Sequence, residues 1–141
     1  MNLTLVRRVI DAEVRYVMDR SRDIEKAAAS SAFPDAIAAR ELVRGGTLYE
    51  NDVPIVIGGL TVLKRPYLVA WLIASKDLKP YVRIVLPEVK QALSAVSREH
   101  LILANVSDGV PSAERFVLKL GFIPSKRLPT SQNYILNRMQ T

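Results

Sequence analysis

The chain has no cysteine and a single histidine, His100. The first absence removes disulfides, thiolate nucleophiles and thiolate metal sites together. The second leaves any serine triad or multi-histidine metal centre to be built around one imidazole just ahead of an apolar run, so His100 reads as a strand-edge residue and no metal ligand set is expected. Long apolar runs are missing as well. The longest, VPIVIGGLTVL and YLVAWLIAS, reach about 10 residues, half of the ~20 a bilayer-crossing helix needs. The N-terminal MNLTLVRR lacks the apolar core and small-residue cleavage site of a secretory signal, so the chain is expected to stay in the cytoplasm of the cell that makes it.

What is present suits one globular unit. With 141 residues, 49% hydrophobic and 24% charged, the chain can bury one core, and a single domain over residues 1–141 is the expectation. Twenty basic residues against 14 acidic ones give a net charge of +6, a field that attracts nucleic acid, cofactor phosphates or an acidic partner. The basic residues are scattered, however, and one Trp, five Tyr and three Phe offer few platforms for stacking bases. Nucleic-acid contact through this charge is therefore expected to be weak.

Periodicity gives the order of elements. LTLVRRV alternates as a first strand, and IDAEVRYVMDRSRDIEKAAASS follows with a helical period. Ile10, Val14, Val17, Ser21, Ile24 and Ala28 fall three or four apart on one face, with Asp11 as N-cap and Glu13 in the first turn. Pro34 ends that helix, and DAIAARELV suggests a short second one. From Gly45, three apolar runs separated by Asn51-Asp52 and Lys64-Arg65-Pro66 read as an antiparallel meander. Gly58-Gly59 marks a bulge or a close approach. KPYVRIVLPEVKQALSAVSREH is helical by period, with a start near Pro87 suggested by the cost of an interior proline. LILANVS is a buried strand, PSAERFVLKLG a helix that stops at Gly121, and NYILNRM a last strand. The fold class is α+β: a mixed, mostly antiparallel sheet flanked by about four helices.

This order, with SAERFVLKLGF in the penultimate position, resembles the GNAT family of acetyl-CoA-dependent N-acetyltransferases. Family members carry a pattern like Asn-x-x-Ala-x-x-Phe-Tyr-x-Lys-x-Gly-Phe there, and Ala113, Phe116, Lys119, Gly121 and Phe122 fit it, while Asn105 lies too far upstream. The resemblance implies acetyl-CoA as cofactor, its pyrophosphate held on the amides of a glycine-containing loop between the fourth strand and the next helix. At that junction this chain reads IASKDLKPYVRIVLPEV, without glycine. Lys76, Lys79 and Arg83 remain there as cations that a cofactor phosphate would meet, if a coenzyme A site persists.

The resemblance also implies a tyrosine directly after the helix phenylalanine as general acid, and an acidic general base on the meander. Val117 occupies the first position, and Glu50, Asp52 and Asp77 lie only at the strand ends. No catalytic residue is therefore assigned, and the expectation leans away from an enzyme. A narrower similarity, carried by SAFPDA, VPIVIGG, AWLIASKDL and ANVSDGVPSAERFVLKLGF, is to GNAT-like internal virion proteins of short-tailed bacteriophages, matched at Phe33, Pro34, Asp35 and Val117. That similarity implies a degenerate active site, no cofactor, and a phage virion or assembly accessory protein that binds other virion proteins, found in the host cytoplasm and then in the particle. The alternative is an active acetyl-CoA-dependent N-acetyltransferase with an atypical cofactor loop.

Overall fold

The computed structural model describes residues 2–21, 41–109 and 111–137. Within them seven strands form one sheet: β1 (Leu3–Val6), β2 (Leu42–Glu50), β3 (Val53–Lys64), β4 (Tyr67–Ala74), β5 (Leu101–Ser107), β6 (Phe122–Arg127) and β7 (Ser131–Leu136). Their spatial order is β1-β2-β3-β4-β5-β7-β6, and every neighbouring pair is antiparallel except β4 and β5. The described helices are α1 (Asp11–Arg20), α2 (Val82–Val96) and α3 (Pro111–Lys119), with a 3-10 turn at Lys79–Tyr81 leading into α2. This is the expected α+β architecture, with three α-helices among the described residues where about four were expected. None of them is long and apolar enough to cross a membrane.

Local chemistry explains the meander. Asn51 and Asp52 take φ of 50° and 68°, the left-handed pair of a two-residue hairpin turn whose twist matches that of its strands. At Gly59 a Cβ would come within 2.8 Å of Trp71 Cζ2 and 2.7 Å of Leu42 Cδ1. The glycine therefore makes room for the indole, whose Nε1 donates to Thr61 Oγ1 at 2.9 Å inside the buried layer.

Strand alternation sends successive side chains to opposite faces. On one face, Val14 and Val17 of α1 pack on Ile57, Trp71 and Ile73. On the other, Leu93 and Val96 of α2 pack with Leu60, Leu68, Ile102 and Phe122, and Val85 of α2 and Phe116 of α3 pack with Leu48, Val56, Ala74 and Leu78.

Five sequence expectations are corrected or cut short. Asp11 is the first helical residue and not the cap: Ile10 holds that position with extended backbone and no side-chain cap bond, while Asp11 and Glu13 stay in the first turn, where the helix dipole favours them. The first helix, expected to run past Ser21, ends at Arg20 with Ser21 extended as its C-cap, and residues 22–31 of that stretch, like residues 35–40 of the expected helix at DAIAARELV, lie outside the described region. Leu42 and Val43 belong to β2, because pairing of Leu42 with Thr61 and Arg44 with Leu60 overrides their helical period. α2 starts at Val82 and runs through Pro87. The lost hydrogen bond and ring clash cost about 3 kcal/mol, which burial of Val85, Leu93 and Val96 on both sides of the proline offsets. Finally, the single last strand is a hairpin, β6 and β7. Pro124, Lys126 and Arg127 disguise β6 in the sequence, and a proline is tolerated there because β6 is the edge of the sheet.

Candidate functional site

The site begins where two strands part. β4 and β5 pair in parallel at only three positions, Tyr67 with Leu101, Leu68 with Ile102 and Val69 with Leu103. Beyond Val69, β4 stays with β3 as far as Ala74, and β5 stays with β7 as far as Ser107. The two strand edges that face each other across this gap carry backbone donors and acceptors that no strand pairs. A cleft of about 680 Å3 opens there. Ala70, Leu72, Ala74 and Ala104 line it from the strands, Val89 and Ala92 from α2, and Ala113, Phe116 and Val117 from α3.

Few ionisable groups reach this apolar wall. Among the described lining residues they are Arg7, Arg8, Arg44 and Glu88, and Ser112 supplies the one hydroxyl. Arg7 spans from the end of β1 to α2: its Nε and Nη2 stand 3.4 Å from the two Glu88 carboxylate oxygens, and Nη2 stands 3.4 Å from Gln91 Oε1. The lone carboxylate of the cleft is thus held by an arginine. Asn105 also lines the cleft, with its Nδ2 donating to Ser131 Oγ and Asn133 Oδ1 at 3.0 and 2.8 Å.

No tyrosine is among the described lining residues. The Tyr49 hydroxyl donates to Glu13 Oε1 at 2.6 Å, and burial followed by that bond raises its pKa. The Tyr81 hydroxyl donates to Glu50 Oε2 at 3.2 Å. Tyr67 is exposed at the start of β4, and Tyr134 lines a different pocket. His100 sits just before β5 with Nδ1 3.2 Å from the Val96 carbonyl oxygen, closing the end of α2. Trp71 is both buried core and cleft wall.

The junction between β4 and α2 is closed on itself. The Lys79 amide donates to Asp77 Oδ1 at 3.1 Å, the Tyr81 amide to the Leu78 carbonyl at 2.8 Å, and the Val82 amide to the Lys79 carbonyl, while Pro80 has no N–H. Leu78 and Tyr81 are buried and fill the space behind the turn. Of the three cations expected there, Lys76 is paired with Glu50, Nζ to Oε1 at 2.5 Å; a hydrogen bond from that ammonium holds the Glu50 carboxyl below the usual carboxylate range, against the opposing effect of burial. Lys79 and Arg83 are exposed, and none of the three lines the cleft.

α3 packs as its pattern suggests. Phe116 is buried beneath the helix, Gly121 takes φ of +97° and ends it, and Phe122 is among the most buried side chains of the molecule. Val117 faces the cleft at the position where the motif has a phenol. The arginines Arg7, Arg8 and Arg44 went unnoticed as a group in the sequence. Only the return of β2 alongside β1 brings them to one opening, and no spacing rule could have joined them.

No protein-family model matches this chain, and no curated protein sequence matches it. Solved structures do. The PaiA N-acetyltransferase from Thermoplasma acidophilum in complex with coenzyme A aligns over 97% of this chain and 99% of its own, at 9% identity and a TM-score of 0.67. The GNAT domain of PAT from S. lividans aligns over 94% and 88%, at 10% identity and 0.67. Mutant forms of the spermidine/spermine N-acetyltransferase SpeG from Vibrio cholerae align over 98% and 95%, at 11% identity and 0.66. At such identities the likeness defines the architecture: the chain has the GNAT fold.

Proposed function

We propose that this chain is a GNAT-fold protein that holds the pantetheine arm of an acyl-coenzyme A in the gap between β4 and β5, grips the nucleotide end weakly, and transfers the acyl group slowly. The observation that carries this reading is the end of β4–β5 pairing after Val69 and Leu103. An extended chain with amide groups can add to such an open strand edge through backbone hydrogen bonds, and the surrounding apolar wall shields those bonds from water. A solved structure of the same fold contains coenzyme A.

The phosphates fit less well. A pyrophosphate is held by amides aimed at it from a loop and helix start, and here the amides of Lys79, Tyr81 and Val82 already have partners. Lys76, Lys79 and Arg83 would offer point charges only. Bound acyl-coenzyme A would supply an activated thioester, and this chain's own residues would orient it. Val117 has no proton to give a departing thiolate, and Glu88 is held by Arg7. A missing general acid or base slows such a step by about 10²–10⁴.

Calorimetric and thermal-shift titration with acetyl-CoA tests the reading. A Kd on the order of 100 μM is expected, so that 1 mM ligand stabilises the fold by about 1.4 kcal/mol. A flat melting curve would overturn it.

A second reading is a phage virion or assembly protein acting by protein contact with a degenerate active site; the bonded junction supports its degenerate site alone. Phe33, Pro34 and Asp35, part of the words that suggested it, lie outside the described residues. Presence at fixed copy number in purified particles is its expected outcome; absence from particles, with normal assembly after deletion, would remove it.

A further inference from the structure

A second pocket of about 200 Å3 lies on the far side of β5, sharing only Val106 with the cleft. Its polar wall is made by Asp108, Glu114, Arg127, Gln132 and Tyr134. Two of these charges cancel, since Arg127 Nη1 and Nη2 donate to the two Asp108 oxygens at 2.7 and 2.5 Å. Gln132 Nε2 is also engaged, donating to the Asn133 carbonyl at 3.0 Å, which leaves its Oε1 as an acceptor.

Two groups have no hydrogen-bond or ion-pair partner among the described residues. The Glu114 carboxylate in the first turn of α3 has no ion pair or hydrogen bond among the described residues, and neither has the Tyr134 hydroxyl, although Tyr134 is only 3% exposed. The Tyr134 ring packs in the core with Ile102 and Phe122. Tyr134 nevertheless lines the pocket together with Glu114 and Arg127; burial first, then Glu114, raises its pKa. Buried hydroxyls are nearly always hydrogen-bonded in folded proteins, so one that opens onto a polar cavity without a partner marks a position for a ligand or ordered water.

We propose that this pocket binds a small primary ammonium ligand, its N–H groups donating to Glu114, Tyr134 and Gln132 oxygens. After the Asp108–Arg127 pair is set aside, the described wall carries one negative charge, Glu114, beside the Tyr134 and Gln132 oxygens, a set that suits a cation with several donors. An anion would meet Glu114, while the charge of the one guanidinium in the described wall, Arg127, is already set against Asp108. A water's share of liquid volume is about 30 Å3, so the pocket also has room for a short alkyl chain behind the ammonium. The site shares no polar contact with the cleft and does not depend on coenzyme A binding.

The test is an NMR titration of the full chain with n-butylamine near neutral pH and low salt, with n-butanol and butyrate as controls of the same shape. Saturable shifts at Tyr134 and Gln132 are expected with the amine, with both controls at least about tenfold weaker. Glu114→Gln and Tyr134→Phe should each weaken the amine by about tenfold. Because Glu114 is exposed, its variant keeps the readout intact should Tyr134→Phe fold poorly. No saturable shift in the pocket at millimolar amine, equal binding of butanol, or unchanged affinity in Glu114→Gln would overturn the proposal and leave the pocket to water.

Discussion

Helix α3 and the junction between β4 and α2 frame the same cleft, yet they have met different demands. In α3, Phe116 fills the core, Gly121 ends the helix and Phe122 anchors the strand that follows, so every residue that matches the motif, apart from the surface Lys119, serves packing. At the junction the amides of Lys79, Tyr81 and Val82 are bonded to Asp77, Leu78 and Lys79, and in the proposed reading they are not left for a phosphate. The difference teaches that a fold is maintained by side chains that exclude water, while an anion cradle depends on backbone groups left unsatisfied until the ligand arrives. The first kind is stable on its own. The second is readily lost, because satisfying those groups locally stabilises the ligand-free protein.

The comparison can be broken most forcefully at Phe116. Phe116→Ala should cost about 3–5 kcal/mol in urea unfolding, since it empties a site between α3 and the sheet; a loss below 1 kcal/mol would deny α3 its structural role. Leu78→Ala, at the junction, should cost about 2–3 kcal/mol, because this turn is packed as core and not held open for a ligand. On the proposed reading, Val117→Tyr should raise the rate of acetyl transfer by less than about tenfold, as the carboxylate among the described cleft residues, Glu88, is held by Arg7 and the nucleotide end is gripped weakly. A gain near 10³ would mean that the acid alone had been missing.

The smallest expected effect is on pH dependence. Lys76 lowers the Glu50 pKa in the folded state. The pair's contribution is therefore present above the unfolded carboxylate pKa of about 4.3 and is lost as pH falls through the lower folded value. The difference in Tm between the wild type and Glu50→Gln should shrink as the solution is acidified through that range. A difference that grew on acidification would reverse the sign and contradict the pairing.

Much of this architecture was legible in the sequence. The three meander strands and β5 announce themselves as apolar runs, α3 by its early proline and its glycine stop, and Asn51-Asp52 and Gly121 mark the turns. β6 was not legible, because an edge strand with Pro124, Lys126 and Arg127 facing solvent carries no apolar alternation. The start of α2 was misplaced because the cost of Pro87 is local, whereas the burial that outweighs it comes from the sheet. For the site, Val117 could be found by register within the motif. The gap between β4 and β5 could not, since it depends on where pairing stops and both strands read as unbroken apolar runs. The Glu114 and Tyr134 pocket was equally hidden, its two groups belonging to elements that meet only after β7 returns beside β5.

In the function proposed above, the pantetheine slot persists while the phosphate grip does not. The most direct test is a calorimetric comparison of acetyl-CoA with S-acetylpantetheine, which lacks the nucleotide. Affinities within about threefold of each other, under 1 kcal/mol, are expected. Acetyl-CoA binding about a hundredfold tighter, near 2.7 kcal/mol, would show a working phosphate site and contradict the proposal.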